Sequence, residues 1–255
     1  IEACKKFHNK IDIIELGAGD ATKSIHLLKA AVSKDLTTTY IPIDISGNII
    51  EHLRNFIPEN IPDLIVDGQQ GEYFEMLDKV SKQSDTPKLL LFLGASIGNM
   101  PVTDALNFCK ALHQYLNPND LLLIGFDLKK NPQTVLSAYN DEAGITKAFN
   151  LNLLDRINRE LGASFITSNF IHYPVYDPGT GACKSYLISK IAHEVELGDG
   201  TTFHFTKDEP IYMEVSQKYT STEIEDQAQL SGFSFINSFY DSKNMFCNTL
   251  WQVPY

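Results

Sequence analysis

Apolar residues recur along the chain with two different spacings, and these predict alternating strands and helices over its first half. The clearest strand is 88–94, where an uninterrupted apolar run lies between Lys88 and Gly94. Such runs are typical of the centre of a parallel sheet that is buried on both faces. Near the start of the chain, Ile25, Leu28 and Ala31 recur at helical spacing. Five β-α units between residues 11 and 126 therefore predict an α/β fold, a parallel sheet with helices on both faces.

The boundaries of these units follow from the same pattern and from turn and capping residues. The predicted strands are 11–16, 39–44, 61–66, 88–94 and 121–126. The predicted helices are 21–33, 47–56, 71–82 and 102–116. Ser46 can cap the second helix, and Pro58 is expected to end it. Residues 1–10 are polar and carry no predicted element.

The pattern changes near residue 130, which predicts an insertion into the first domain. Residues 130–218 begin with predicted helices and continue with predicted strands, and we interpret them as an inserted α+β lobe. The remaining domain then comprises 1–129 and 219–255. The predicted elements of the lobe are the helices 134–139 and 144–161 and the strands 172–176, 184–192 and 201–205. The chain ends with a predicted helix, 221–231, and two predicted strands, 233–240 and 245–253, joined by the turn 241–244.

A glycine turn joins the first strand to the first helix and indicates a nucleotide-binding unit. The turn reads Glu-Leu-Gly-Ala-Gly at 15–19, and Asp44 ends the next strand. Thr22 stands where a dinucleotide-binding loop has its third glycine, which disfavours NAD or FAD. The shorter pattern is typical of S-adenosylmethionine-dependent methyltransferases, although from this loop alone a glycine-rich turn of another α/β protein is supported equally. The final helix and antiparallel hairpin favour the Rossmann-like class I methyltransferase fold over simple dehydrogenases.

Charge and composition limit the partners. The formal charge is −11 at pH 7, and no dense basic cluster occurs, so nucleic acid and anionic membranes are poor partners. A small molecule is the better candidate. The four cysteines are scattered and the histidines have no metal-ligand spacing, which predicts reduced thiols and no metal. With no apolar run of membrane length and no signal peptide, we expect a cytoplasmic protein, and we favour a monomer.

Methyl transfer from a sulfonium needs hydrogen-bonding groups at the carboxyl ends of the strands, where open α/β sheets bind ligands. Gly17 and Gly19 would admit the methionine portion of the cofactor. Lys23 is a candidate to pair with the carboxylate of that methionine portion, although a solvated surface lysine is supported equally. Asp44 is the candidate for the ribose hydroxyls. Three further cofactor candidates follow later strands: Asp67, Gly68 and Gly94, of which the first two also suit a plain turn.

Four residues are candidates for the substrate. Asn99 follows the fourth strand and suits an amine or carboxylate, or else caps the next helix. Tyr139 lies at the head of the predicted lobe. Glu214 and Ser216 alternate, so on a strand they share one face, which suits a ring N–H or an ammonium. Taken alone, a solvated strand face explains this pair better.

Four longer runs of the chain carry a family resemblance: F-L-G-A-S-I-G-N (92–99), D-L-K-K-N-P (127–132), S-A-Y-N-D-E-A-G-I-T-K-A-F-N-L-N-L-L-D-R-I-N-R-E-L (137–161), whose first part, 137–150, is the most specific, and E-V-S-Q-K-Y (214–219). They resemble the histidine-specific, S-adenosylmethionine-dependent methyltransferases, which include the L-histidine Nα-methyltransferase of ergothioneine biosynthesis. The resemblance implies a class I domain with an inserted substrate lobe. It implies cofactor contacts at Gly17, Lys23, Asp44 and Asp67, and amino-acid contacts at Asn99 and Tyr139. It assigns Glu214 and Ser216 to the imidazole ring.

The resemblance therefore predicts trimethylation of the α-amine of histidine, with S-adenosyl-L-methionine as cofactor. We assign no dedicated base. Two alternatives stay open: methylation of another amino acid or small amine, and a non-catalytic relative that binds S-adenosylmethionine or its product. Product masses from a panel of amino acids separate methylation of histidine from methylation of another amine. Binding without turnover would indicate the non-catalytic relative.

Overall fold

The computed structural model describes residues 10–34 and 36–255, which form two compact units. The first contains the described residues up to 97, together with 102–127 and 220–255. The second contains 98–101 and 128–219. The sequence-based predictions for residues 1–9, including Cys4, lie outside the described residues.

The elements follow one another in the predicted alternation of strand and helix. The chain starts with β1 (Lys10–Leu16), α1 (Ser24–Val32), β2 (Thr37–Asp44), α2 (Gly47–Asn60), β3 (Ile65–Val66), β4 (Gln69–Gln70), α3 (Tyr73–Gln83), β5 (Lys88–Phe92), α4 (Val102–His113) and β6 (Leu121–Asp127). The second unit follows with α5 (Pro132–Tyr139), α6 (Ile145–Leu161), β7 (Phe170–Tyr176), β8 (Ala182–Ser189), β9 (His193–Glu196), β10 (Thr202–Phe205) and β11 (Pro210–Gln217). The chain then returns to the first unit with α7 (Ser221–Leu230), β12 (Ser234–Tyr240) and β13 (Phe246–Gln252).

The sheet of the first unit has the strand order β12-β13-β6-β5-β1-β2-β3, with β4 also paired to β2. The pairs from β6 to β3 are parallel, and β13 is antiparallel to both β6 and β12. The predicted class I sheet with its C-terminal antiparallel hairpin is therefore confirmed. Because the parallel strands share one direction, the carboxyl ends of β1, β2 and β5 lie at the same edge.

Helices cover both faces of this sheet. All residues of β5 are buried, as its uninterrupted apolar run predicts. Leu89 and Leu91 belong to the core that includes Leu28 of α1 and Leu53 of α2. On the other face, the ring of Phe92 lies 4.8 Å from that of Phe108 in α4, measured between ring centroids. Successive residues of a strand point to opposite faces, which explains this division.

Two predictions near Pro58 are wrong. Helix α2 does not end before Pro58 but continues to Asn60, with Ile57 buried and accepting a hydrogen bond from the backbone of Ile61 at 2.8 Å. Proline removes one intrahelical donor, and burial of this helix face outweighs that loss. The strand expected at 61–66 is reduced to the two residues of β3, because only Ile65 and Val66 pair with β2. The predicted cap is confirmed, since Ser46 Oγ accepts from the backbone of Ile49.

The second unit is built on the antiparallel sheet β11-β8-β7. Leu187 of β8 and Phe170 of β7 pack against Leu154 of α6, so this helix covers one face of the sheet. The strand predicted at 184–192 corresponds to β8, which ends earlier, at Ser189. Strand β9, which begins at His193 and forms a separate hairpin with β10, was not predicted.

Strand β11 contains a bulge. Its register against β8 shifts between Tyr212 and Glu214, so Met213 is the extra residue. After the shift, Glu214 lies opposite Ser185 and Ser216 lies opposite Cys183. The bulge interrupts the alternation that identifies strands in a sequence, which explains why no strand was predicted at 210–217.

Candidate functional site

The glycine turn after β1 leaves its backbone open to a ligand. Gly17 and Gly19 have φ angles of +66° and +54°, in the left-handed region that favours glycine. The backbone N–H of Gly17 donates to the carbonyl of Ile43 at 2.9 Å, which ties the turn to β2. A Cβ atom added to Gly19 would meet no atom within 4 Å. The cofactor can therefore approach the backbone at this position.

Asp44 ends β2 beside this turn. Its Oδ1 accepts the backbone N–H of Ser46 at 2.9 Å, and its side chain is half-buried. Tyr73, the first residue of α3, lies nearby. A Cβ added to Gly17 would be 2.6 Å from the Tyr73 hydroxyl, so the glycine is needed to admit the ring. Burial raises the pKa of Tyr73, and the Asp44 carboxylate raises it further. Sequence reasoning missed Tyr73, since nothing in the pattern separates it from other aromatic residues of its helix.

Asp67 and Gly68 follow β3, and contacts within the protein account in part for the presence of these two residue types, without a ligand. Asp67 is exposed, and its Oδ1 accepts from Nε2 of Gln69 at 2.8 Å. Gly68 is buried against α2, where an added Cβ would be 2.7 Å from Cγ2 of Ile50. Arg54 also donates to the Gly68 carbonyl at 2.7 Å. The adenine contacts of these two residues stay a prediction.

Lys23 and Gly94 lie side by side, as the sequence-based site requires. Gly94 follows β5 with φ of +77°, and an added Cβ would be 3.7 Å from Nζ of Lys23. Both residues line a cavity of about 790 Å³ within the first unit. The apolar lining comes from Leu27, Leu89, Leu93, Leu123, Phe239, Phe246 and Leu250. Gly17, Gly19 and Asp44 do not line this cavity.

Taken together, these residues fit a nucleoside that carries an amino-acid tail. Asp44 offers a carboxylate to sugar hydroxyls, the open backbone at Gly19 admits a close approach, and Lys23 offers an ammonium to a carboxylate. This donor set matches the groups of S-adenosylmethionine that a protein can recognise. The individual contacts stay predictions.

In the second unit, Glu214 and Ser216 lie on the face of β11 that meets α6. Asn150 of α6 donates its amide N–H to Oε1 of Glu214 at 3.4 Å. Asn150 itself is buried and lies within the run 137–150 that carries the family resemblance. Both side chains are half-buried, so the pair is shielded in part by α6, and its role toward a substrate stays a prediction.

Lys218 is the next residue of the same alternation and connects two predicted substrate residues. Its ammonium donates to Ser216 Oγ and to the hydroxyl oxygen of Tyr139, both at 2.8 Å. The ammonium also lies 4.9 Å from the centroid of the Tyr139 ring. Lys218 is only 2% exposed. Sequence reasoning missed this residue, although the spacing of 214, 216 and 218 would have found it.

Asn99 is brought to the same end of β11 by the residue before it. A Cβ added to Gly98 would be 2.8 Å from the backbone carbonyl oxygen of Gln217, so only glycine allows this approach. Asn99 ends a short 3-10 helix, Ser96–Asn99, and is exposed. Its side chain has no hydrogen-bond partner among residues 10–34 and 36–255.

Two further polar side chains are buried on this sheet face. His172 of β7 is 8% exposed and Ser185 of β8 is 1% exposed. Within the described ranges, neither His172 Nε2 nor Ser185 Oγ has a hydrogen-bond partner. Burial lowers the pKa of His172, while the charges of Glu214 and Asp141 act in the opposite direction. This face of the sheet thus holds unused hydrogen-bonding capacity near Glu214.

The described residues meet neither the requirements of a metal site nor those of a membrane-spanning helix. No group of three histidine, cysteine or acidic side chains among them is arranged to hold a metal ion. No helix in the described part of the chain combines the length and apolar character that a membrane crossing requires.

Comparison with known proteins identifies similar sequences. The sequence model of a family described as "Histidine-specific methyltransferase, SAM-dependent" matches residues 2–253. The "Histidine N-alpha-methyltransferase" of Mycolicibacterium smegmatis is 31% identical over 81% of this chain and 64% of its own length. The protein of the same name from Mycobacterium tuberculosis is 27% identical over 92% of this chain and 73% of its own. The "Ergothioneine biosynthesis protein 1" of Neurospora crassa is 33% identical over 84% of this chain and 24% of its own length.

The chain thus spans about two thirds of the mycobacterial relatives and about a quarter of the fungal one. The family match, by contrast, extends over nearly the whole chain. On this evidence, the chain belongs to the histidine-specific, S-adenosylmethionine-dependent methyltransferases.

Proposed function

We propose that this protein transfers methyl groups from S-adenosylmethionine to the α-amino group of L-histidine, giving trimethylated histidine, hercynine. The observation that carries the proposal is the alternation of Glu214, Ser216 and Lys218, of which the first two are half-buried and Lys218 is buried. A carboxylate and a hydroxyl that point the same way suit a ring with nitrogen atoms on its edge, as in imidazole. The names of the mycobacterial relatives support the same substrate.

The α-amino and carboxylate groups of the substrate need separate partners. Tyr139 suits the carboxylate, because its oxygen already accepts from Lys218 and its proton remains available to donate. Asn99 suits the amine or the carboxylate, because its amide has both a donor and an acceptor. Together with Glu214 and Ser216, these residues would bind the amino acid at both ends and fix the direction of its amine.

The chemistry asks little of acid or base residues. When bound, S-adenosylmethionine supplies a methyl group activated by its sulfonium. The residues of this chain then need to hold an unprotonated amine in line and to exclude water. The α-ammonium of a free amino acid is more basic than the N-terminus of a chain, whose pKa is about 8, so the amine must lose its proton before attack. This proton can leave to solvent before the amine is aligned, so no dedicated base is assigned and Glu214 remains the anchor of the ring.

The first test is titration calorimetry with L-histidine, with and without S-adenosylhomocysteine, followed by a methyl-transfer assay read by mass. We expect histidine to bind and to gain up to three methyl groups. Glu214→Gln should weaken histidine binding by roughly 10- to 100-fold, because a charge-assisted hydrogen bond contributes about 1.5–3 kcal/mol. Glu225→Gln, an exposed glutamate of α7, is the matched control and should bind as the wild type does.

The outcomes separate the alternatives. Cofactor binding without any response to histidine, but with methylation of another amino acid from a panel, would retain the fold and reject the substrate. Binding without turnover across the whole panel would indicate a non-catalytic relative. Unchanged histidine affinity in Glu214→Gln would reject the assigned role of that residue.

A further inference from the structure

The contacts of Lys218 determine the direction of two hydrogen bonds. An ammonium has three donors and no acceptor. In both of its 2.8 Å contacts, Lys218 must therefore donate, so the oxygens of Ser216 and Tyr139 both accept. Neither hydroxyl has a second hydrogen-bond partner among residues 10–34 and 36–255. Each hydroxyl proton thus remains available to a bound molecule.

This assignment makes the Glu214 and Ser216 pair asymmetric. An ionised carboxylate only accepts, whereas Ser216, with its oxygen already accepting from Lys218, presents a donor. A neutral imidazole carries one N–H and one nitrogen lone pair and matches such a pair. A protonated imidazole carries two N–H groups; the second would need the remaining lone pair of Ser216, and the Ser216 proton would then have no acceptor among the hydrogen bonds of the described residues.

We propose that Lys218 is a positioning residue that makes Ser216 a hydrogen-bond donor, so that the site binds histidine with a neutral ring. The ring N–H then donates to Glu214, and the other ring nitrogen accepts from Ser216. This inference rests on the proposed function. It adds the protonation state of the substrate and the residue that sets it.

The charges around the pair act in opposite directions. The Glu214 carboxylate favours a protonated ring beside it, whereas the Lys218 ammonium, within hydrogen-bond distance of Ser216, disfavours a second cation there. The other titratable groups near the pair are Tyr139 on α5 and His172 on β7, with Asp141 and Lys147 acting on His172. Because these protein groups also titrate, the test must separate the effect of pH on the ring of the ligand from its effect on the protein.

The experiment compares two ligands on the same protein. Calorimetry between pH 5.5 and 8, with S-adenosylhomocysteine present, gives Kd for L-histidine and for 1,2,4-triazolylalanine. The triazole ring has a similar shape and stays neutral over this range, so it shares every dependence on the protein and on the α-amine. We expect the ratio of the histidine Kd to the triazole Kd to rise about tenfold per pH unit below the ring pKa of about 6.5. A ratio that stays level or falls at low pH would overturn the proposal.

Two variants test the part played by Lys218. In Lys218→Met, the ratio of the histidine Kd to the triazole Kd should no longer depend on pH, because Ser216 can then accept from a protonated ring. Lys218→Arg keeps a donor-only cation and should retain the slope. An unchanged slope in a folded Lys218→Met would overturn the role of this residue.

A direct measurement on the wild type does not depend on the folding of a variant. Nitrogen-15 chemical shifts of bound, ring-labelled histidine should show one protonated and one unprotonated nitrogen at pH 6. Two protonated nitrogens would overturn the inference. Failure of both ligands to bind would reject the proposed function and this inference with it, whereas binding with the wrong slope rejects the inference alone.

Discussion

Glu15 holds a carboxylate inside the sheet of the first unit. The side chain is 4% exposed and accepts a hydrogen bond from the Tyr40 hydroxyl at 2.5 Å. Burial raises the pKa of Glu15, against the opposing effects of Tyr40 and Ser24. The folded state therefore binds this proton more tightly than the unfolded chain does, and the contribution to stability is lost as pH rises through the folded pKa.

Replacing Glu15 with glutamine removes this dependence on pH. We expect the difference in unfolding free energy between Glu15→Gln and the wild type to move in favour of the variant as pH rises above 5. The slope is at most about 1.4 kcal/mol per pH unit, until the folded pKa is passed. Denaturant unfolding of the two proteins between pH 5 and 8 measures it.

The control is Asp20→Asn in the same turn. Thr22 donates to the Asp20 carboxylate and lowers its pKa, so this group stays ionised between pH 5 and 8. The difference in unfolding free energy between Asp20→Asn and the wild type should therefore not change with pH over this range. A level difference for Glu15→Gln as well would contradict the assignment of a raised pKa.

Single residues are where sequence reasoning was weakest. Glycines with a required conformation, such as Gly17, and alternating polar residues, such as Glu214 and Ser216, carry a pattern that can be recognised. Tyr73 carries none, because its place beside Gly17 is set by the fold, which brings the two residues together. Lys218 lay within a recognised run, but a lysine there is ordinarily expected to be solvated.

At the scale of elements, the approach of the short helix Ser96–Asn99 to β11 depends on Gly98. A Cβ atom at this position would be 2.8 Å from a backbone oxygen that cannot move without distorting β11. The same strand carries Glu214 and Ser216. The packing of these two elements is therefore linked to the predicted substrate contacts.

Gly98→Ala should separate these elements. We expect a loss of about 1–3 kcal/mol in unfolding free energy, as for other overpacked sites, and a weaker affinity for histidine in calorimetry. Gly200→Ala is the control, because an added Cβ meets nothing within 4 Å there, although its φ of +84° brings some strain. That variant should bind histidine normally. Normal binding by Gly98→Ala would show that this contact does not support the substrate site.

Elements with a regular pattern were predicted well, and irregular ones were not. The apolar run of β5 indicates a central parallel strand, and the final pair of strands indicates an antiparallel hairpin, so the type of sheet could be predicted although its strand order was not. Helix α2 passed through Pro58 because tertiary burial of Ile57 outweighs a local rule. Strand β11 was not predicted, because a bulge breaks the alternation on which strand prediction depends.

At the scale of the whole molecule, the candidate residues fall into two sets. The cofactor candidates, from Gly17 to Gly94, belong to the first unit, and the substrate candidates belong to the second. The family and the class I fold predicted from the sequence are confirmed. The assignment of a function to each unit stays a prediction, as do the individual contacts and the monomeric state.

The two sets should respond separately to mutation. Asp44→Asn should weaken S-adenosylhomocysteine binding by roughly 10- to 100-fold, through loss of a charge-assisted hydrogen bond to ribose. It should therefore reduce the rise in Tm that this ligand produces. Glu214→Gln should retain the full rise while losing affinity for histidine.

Glu51→Gln, on the exposed side of α2, provides the matched control for Asp44 and should leave both responses unchanged. Thermal melts with and without each ligand measure all of these effects. If Glu214→Gln lost the response to S-adenosylhomocysteine, the two sets would not be independent.

The bulge at Met213 has a consequence for how this site can change by insertion and deletion. The extra residue sets the phase of the strand, so that Glu214 points to the same side as Ser185 rather than to that of the exposed Lys184. Because Tyr212 pairs with Tyr186 and Glu214 pairs with Ser185, deletion of Met213 would remove the bulge and leave both pairs in place. Loss of Val215 would instead place Ser216 and Lys218 on the side opposite to Glu214, so a single lost codon there would divide this recognition surface while each of its polar residues stays in the sequence.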